Sequence, residues 1–113
     1  MHETGIAASL VHMVETRARD AGATRVARVE IRVGAAAGVE TELLQLAWQG
    51  VRPGTFCATA PLVIHHTPEV WRCVLCRTPI AENSPLQCPD CGYAAVLDGG
   101  DDLFLERFDI VRP

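Results

Sequence analysis

The 113-residue sequence predicts an α+β fold, in which two helices pack on a small, mainly antiparallel sheet and a zinc-ribbon-like, four-cysteine domain is inserted. Two segments with apolar residues at helical spacing predict the helices, and three segments rich in β-branched residues predict the strands. Between the last two predicted strands, the composition changes to Pro, Gly, Cys and acidic residues. We therefore divide the chain into a domain formed by residues 1–67 and 103–113 and an inserted domain formed by residues 68–102.

The first half of the chain contains a predicted helix, a strand and a second helix. Apolar residues recur every three or four positions over residues 6–21, where Thr4 can cap the start and Gly22 suits a left-handed stop. Apolar and charged residues alternate over residues 24–33, which predicts a strand with one face in solvent. A second helix is predicted over residues 39–50. The remaining strands are predicted over residues 62–67 and 103–111.

Length and composition exclude several classes of protein. No apolar run approaches the roughly 20 residues that cross a bilayer, and the amino terminus lacks the apolar block of a signal peptide. All 10 basic residues are arginine, so no lysine can occupy a phosphate-binding loop. We therefore expect a cytoplasmic protein that neither enters membranes nor hydrolyses nucleotides by itself.

Four of the 5 cysteines form two CxxC motifs, Cys73 with Cys76 and Cys88 with Cys91, with eleven residues between the motifs. A two-residue spacer presents both sulfurs from one tight turn, and a chain reversal brings two such turns together as a tetrahedron, the geometry of structural zinc. A closed shell of four thiolates leaves no position for water, so this zinc would stabilise structure rather than catalyse a reaction.

Other interpretations of the cysteines find less support. Two redox motifs or an iron–sulfur site are the alternatives, but the thioredoxin-like setting and the ferredoxin spacings are absent. Nucleic-acid binding is disfavoured because residues 69–102 carry two arginines against six acidic residues, a formal net charge of −4. The remaining cysteine, Cys57, is interpreted as a small buried residue.

The chain begins Met1-His2-Glu3, a tripeptide with chelating chemistry. The Met1 amine, the His2 amide nitrogen and the ring Nδ1 of His2 can close fused chelate rings around one ion. An amide nitrogen binds a metal only after losing its proton, which favours Ni(II) and Cu(II). Glu3 can add its amide nitrogen or its carboxylate. From this chemistry alone, a solvated terminus is the alternative, and copper would bind more strongly than nickel.

These features together resemble one known family. The residues that carry the likeness span essentially the whole chain in order: Met1-His2-Glu3 before a helix, Val33-Gly34, Gly38-Val39-Glu40, Cys88-Pro89-Asp90-Cys91-Gly92 and Gly100-Asp101-Asp102-Leu103. On this basis the chain resembles the HypA/HybF family, which comprises nickel-insertion accessory proteins for NiFe hydrogenase maturation.

The resemblance implies a nickel metallochaperone whose two-helix nickel domain carries an inserted zinc domain. The residue matching His2 is the essential nickel ligand in that family, joined by amino-terminal backbone nitrogens, while the four cysteines hold structural zinc. The implied partners are the accessory GTPase of the pathway and the hydrogenase large subunit; a homodimer and a supply of nickel to urease are left open. The sequence departs from the family pattern at Arg77, where members commonly carry glycine, and this departure bears on the local turn.

The other histidines and acidic residues are not assigned to a metal site. Adjacent residues of a strand point to opposite faces of a sheet, so His65 and His66 cannot share one ion. His12 is expected on a helix face, and Glu40 suits the positive end of the second helix. The sequence shows neither a nucleophile paired with a histidine nor a zinc-deaminase motif, so we expect no enzymatic activity. The alternative function is a zinc-ribbon interaction module without metal delivery.

Overall fold

The computed structural model describes residues 2–113, which form two compact units. The first unit comprises residues 2–32, 39–65 and 104–113, and the second comprises residues 33–38 and 66–103. The elements, in chain order, are α1 (Glu3–Asp20), β1 (Arg25–Gly34), α2 (Thr41–Val51), β2 (Leu62–Thr67), β3 (Val70–Cys73), β4 (Pro79–Ile80), β5 (Ala95–Gly99) and β6 (Leu103–Val111). Within the described residues, no helix is both long and apolar enough to span a membrane.

Helix α1 begins closer to the amino terminus than the periodicity predicts. Its N-cap is His2, whose backbone is extended (φ −81°, ψ 148°) and whose carbonyl accepts a hydrogen bond from the Ile6 amide at 3.2 Å. Thr4 therefore lies inside the first turn, and its predicted role as a cap is wrong. At the other end, Gly22 adopts the predicted left-handed conformation (φ +75°), which side chains disfavour.

The core of the first unit is formed by buried residues of α1, α2 and β1, and the two helices pack against each other. α1 buries one stripe of apolar residues, and α2 buries Leu44 and Trp48. The Trp48 indole is 1% exposed, and its Nε1–H donates to the Ala60 carbonyl at 2.8 Å, so burial leaves no polar group unpaired. On the side of α2 that faces β2, the Gln45 side-chain amide donates to the Leu62 carbonyl at 2.7 Å.

Strands β2, β1 and β6 form a sheet in that order. β1 and β6 are antiparallel, because the Thr24 amide, just before β1, donates to the carbonyl of Val111 at the end of β6. β1 and β2 are instead parallel, because the hydrogen-bonded positions increase together along both segments. The Val29 amide donates to the Pro61 carbonyl at 3.0 Å, and the Ala35 amide donates to the Thr67 carbonyl at 2.9 Å. Helix α2 therefore forms the crossover of a β-α-β connection. The predicted α+β class, with two helices and small sheets, is confirmed.

The second unit contains a separate sheet in the order β4-β3-β5, with both pairs antiparallel. None of these three strands is among the sequence predictions. Gly34 and Gly100, two of the residues that carry the family resemblance, allow two backbone segments of this unit to cross closely. A Cβ atom on Gly34 would overlap the backbone of Gly100, and one on Gly100 (φ +82°) would overlap the Pro68 carbonyl. Here the Ala36 amide donates to the Gly100 carbonyl at 2.7 Å.

Candidate metal sites

The four predicted thiol ligands converge in the second unit. All four sulfurs lie within 4.8 Å of one another, and the resolved close pairs are Cys73–Cys91 at 3.3 Å, Cys76–Cys88 at 3.6 Å and Cys76–Cys91 at 3.7 Å. A tetrahedron with Zn–S bonds of about 2.3 Å requires sulfurs about 3.8 Å apart. These separations exceed a disulfide bond and match a tetrahedral four-thiolate site. The cluster therefore fits structural zinc.

Two tight turns position these sulfurs. After Cys73, the amides of Leu75 and Cys76 both donate to its Sγ at 3.4 Å. Arg77 follows with a left-handed backbone (φ +63°), the conformation that glycine adopts most readily, and Gly92 takes the same conformation (φ +78°) after the second motif. Arg77 therefore adopts a backbone conformation that favours glycine, at the expense of local strain.

The four cysteine thiols have different surroundings, which give Cys76 and Cys91 different pKa values. Hydrogen bonds from the Thr78 hydroxyl and amide lower the pKa of Cys76 to about 6. At Cys91, the Tyr93 amide favours the thiolate, but the hydrogen bond with Cys73, burial and the other thiols raise the pKa to about 12. Four thiolates packed this closely need a cation to compensate their charge, which is what a zinc ion supplies.

The predicted nickel ligands fall at the start of α1. Met1 lies outside the described residues. His2 is exposed, and Glu3 is half-buried. Both residues line an open groove of about 700 Å³ whose other wall is formed by α2 residues such as Leu46 and Gly50. The first amides of a helix have no acceptor one turn back, so the amide nitrogens of His2 and Glu3 carry no helical hydrogen bond to a carbonyl.

Glu3 connects the amino terminus to α2. Its Oε2 accepts a hydrogen bond from the backbone amide of Glu40, the N-cap residue of α2, at 3.2 Å. The amides of Glu3 itself and of Glu40 hold the pKa of the Glu3 carboxyl below its usual value of 4.5. Helix α1 thus begins at a fixed place beside α2, with a carboxylate next to His2. The sequence places Glu40 at the start of the second helix but does not indicate this contact.

His65 is part of an ionic network on the first unit that sequence reasoning missed. One side chain from each strand of the sheet contributes, and the ligating atoms of Glu30, His65 and Glu106 lie within 4.8 Å of one another. His65 Nε2 lies 2.8 Å from Glu30 Oε1. Arg28 and Arg107 bind the other Glu30 oxygen at 3.3 and 3.1 Å. Guanidinium groups already balance these carboxylates, so we interpret the network as structural.

Acidification is expected to remove the contribution of Glu30 to stability. The hydrogen bond from His65, followed by the charges of Arg28 and Arg107, holds the pKa of Glu30 below its usual 4.5. A carboxyl whose pKa is lower in the folded than in the unfolded protein adds stability above its unfolded pKa, and this stability is lost as the pH falls through the folded pKa. Urea midpoints of the wild type and Glu30→Gln should therefore differ most near neutral pH and converge as the pH falls below 4.5 and through the lowered pKa of Glu30. A gap that is constant with pH would contradict this attribution.

Three other histidine and cysteine residues, His66, His12 and Cys57, belong to neither cluster described above. His66 is exposed at the end of β2, and His12 is exposed on α1. Cys57 is fully buried in the first unit, where burial raises its pKa to about 11. A thiol with this pKa is protonated at neutral pH, so Cys57 behaves as a small core residue.

The fold and the thiol cluster define a small metal-binding protein, in which one unit is built around a four-cysteine cluster that fits structural zinc. The family model described as "Hydrogenase/urease nickel incorporation, metallochaperone, hypA" matches residues 1–110. The chain therefore belongs to the HypA family, a family of nickel-binding metallochaperones, and the resemblance drawn from the sequence is confirmed.

Individual relatives and solved structures agree with this assignment. The chain is 37% identical over 110 residues to hydrogenase maturation factor HypA of Shewanella halifaxensis, covering 94% of this chain and 95% of that one. It is 34% identical over 109 residues to the factor of the same name from Shewanella oneidensis, covering 94% and 92%. The fold is similar to a solution structure of the Ni metallochaperone HypA from Helicobacter pylori, with a TM-score of 0.74, 21% identity and full coverage of both chains. A second solution structure of a HypA protein gives a TM-score of 0.80 at 21% identity, covering 100% of this chain and 98% of that one.

Proposed function

We propose that this protein binds one Ni(II) ion through Met1, His2 and Glu3 and delivers it during NiFe hydrogenase maturation, while Cys73, Cys76, Cys88 and Cys91 hold a structural zinc ion. The observation that carries the nickel site is the position of His2. It is the exposed, extended residue directly before α1, and its side chain lines an open groove with Glu3. Its imidazole is therefore accessible to an incoming ion and to an acceptor.

The start of a helix suits the donor set that nickel would need. The amides of His2 and Glu3 carry no helical hydrogen bond to a carbonyl, so binding a metal through their nitrogens breaks no bond of the helix ladder. A deprotonated amide is an anion, and the positive end of the α1 dipole favours negative charge there. The Glu3 carboxylate, held beside α2 by Glu40, adds an anionic oxygen near His2. These groups are nitrogen and oxygen donors of the kind that Ni(II) accepts.

A delivery protein must also release its ion, and the two sites differ in this respect. The groove beside His2 is open to solvent, so ligands from an acceptor can replace the amino-terminal donors one at a time. The four cysteines instead form a closed shell, in which Cys73 is fully buried. We therefore assign nickel, the transferable cargo, to the first unit and zinc, the permanent ion, to the second.

The proposed partners follow from the family and from what this chain lacks. The sequence contains no phosphate-binding loop and no lysine, so any nucleotide-driven step of nickel insertion falls to another protein. We propose the accessory GTPase of the maturation pathway and the hydrogenase large subunit as partners. Because the family description names urease with hydrogenase, urease maturation is a second destination for the nickel.

Blocking the terminal amine tests this proposal without changing a side chain. Isothermal titration of the zinc-loaded protein with Ni(II) should show one additional site in a sample that begins at Met1. The same sequence with an acetylated amino terminus should lose that site, because the amine can no longer close the first chelate ring, and should keep its zinc. Equal nickel uptake by both samples would place nickel elsewhere and favour the zinc-ribbon interaction module without delivery.

A further inference from the structure

The second unit contains a cleft that neither metal site uses. Its volume is about 390 Å³, which lies within the range of small-ligand pockets. The apolar part is formed by Trp71, Ile80 and Leu86, and carboxylates are contributed by Glu69 and Glu82. All of these residues belong to the second unit. The cleft therefore combines an aromatic, apolar surface with two acidic groups.

Local structure fixes the components of this cleft. Trp71 on β3 is the register partner of Ile80 on β4, so the two apolar side chains are cross-strand neighbours. The Trp71 indole Nε1–H donates to Glu69 Oε2 at 2.9 Å, which orients both the ring and the carboxylate. The turn that carries Glu82 is closed by a hydrogen bond from Ser84 to Ala81 at 3.3 Å. These contacts preorganise the cleft before any ligand arrives.

The charges around the cleft are uncompensated. Within residues 2–113, neither Glu69 nor Glu82 takes part in a salt bridge. Both arginines of the second unit, Arg72 and Arg77, bind Asp98 instead, at 2.7 and 3.1 Å. Residues 69–102 carry a formal charge of −4, to which a zinc ion with four thiolates adds about −2. The cleft thus lies in an anionic unit that attracts cations and repels phosphate groups.

We propose that this cleft is a docking site for an arginine side chain presented by a partner protein. A guanidinium is planar, stacks on an indole ring and donates in a fork that matches carboxylates. Its aliphatic stem would lie against Ile80 and Leu86, as arginine stems do on apolar surfaces. Lysine is a compact, strongly hydrated charge and gains less from the aromatic ring. The anionic unit rules against a nucleic acid or an acidic membrane as the occupant. This site is independent of the nickel proposal.

The test uses the zinc-loaded full chain and a pair of short peptides. The first is acetyl-Ala-Arg-Ala-amide, and the second carries citrulline, the neutral isostere of arginine, in the same position. Trp71 is half-buried in the cleft, whereas Trp48 is 1% exposed in the other unit, so the two indole N–H signals in an NMR titration separate binding from general effects. The arginine peptide should shift the Trp71 signal saturably, with a dissociation constant of about 1 mM, and leave the Trp48 signal unchanged. The citrulline peptide should bind at least about fivefold more weakly, since it loses the charge-assisted hydrogen bonds.

Matched variants distinguish the cleft from general negative charge. Glu82→Gln should weaken binding of the arginine peptide at least about fivefold, whereas Asp101→Asn, which removes the same charge outside the cleft, should change it less than twofold. Zinc stoichiometry and the Trp48 signal report that each variant is folded. Equal binding of the two peptides, or equal weakening by the two variants, would overturn the proposal. Loss of nickel binding would not affect this outcome, so the two proposals fail separately.

Discussion

Replacing Cys73 with serine is expected to abolish zinc binding and to unfold residues 66–103. Within that segment, the only buried residues are Cys73 and Cys88, both of them proposed zinc ligands, so no apolar core supports the fold without the metal. Structural zinc contributes about 10–16 kcal/mol in modules of this kind, far more than the sparse apolar burial here can supply. Metal analysis should show zinc lost, and hydrogen exchange should show fast-exchanging amides from β3 to β5.

The matched control is Cys57→Ala, which removes a cysteine from the other unit. Cys57 is fully buried, so this change should lower the free energy of unfolding by about 1 kcal/mol while zinc stays at one equivalent. A Cys73→Ser protein that keeps both its zinc and its protected amides would disprove the four-thiolate assignment.

Replacing His2 with alanine should lower nickel affinity at least about 100-fold, since loss of an outer-shell partner alone typically costs 10–100-fold. The imidazole closes one of the two chelate rings, and the remaining donors would compete poorly with water. Helix α1 should form as before, because the His2 side chain makes no capping hydrogen bond. Zinc content should not change. Nickel titration, with far-ultraviolet circular dichroism as a folding check, measures both expectations.

His12→Ala is the control for this prediction. His12 is also exposed on α1, but it lies about three turns from His2 along the helix, too far to bind the same ion. Its removal should leave nickel affinity within a factor of two. If both variants lose nickel equally, the ion is bound on the face of α1 and not at the terminus.

Sequence patterns predict the first unit well where periodicity is strong. β2 and β6 have the predicted bounds, because both are apolar runs between breakers. β1 is less regular. Val29, Ile31 and Val33 alternate inward as predicted, but Val26 is buried in place of Ala27, so the two-residue period breaks near the start of the strand. Periodicity predicts too late a start for α1, because His2 caps the helix through its extended backbone and without its side chain.

The second unit shows what spacing alone can and cannot predict. Two CxxC motifs suffice to predict the tetrahedron, because each motif is a local turn whose geometry depends little on the rest of the chain. The strands that join these turns are short and carry no alternation, so they leave no periodic signal. Contacts between residues far apart in the sequence leave no local pattern. Neither the Glu3–Glu40 contact nor the cleft at Trp71 has a sequence signature, because both depend on segments that the fold brings together.

Absorption spectroscopy at the nickel edge of the protein loaded with one Zn(II) and one Ni(II) tests the central claim most directly. The account predicts a first coordination shell of nitrogen and oxygen only, at the nickel ion, with one imidazole that is absent from the His2→Ala spectrum, while the zinc edge shows four sulfurs. Sulfur scattering at the nickel edge, with an imidazole signal that does not depend on His2, would contradict it.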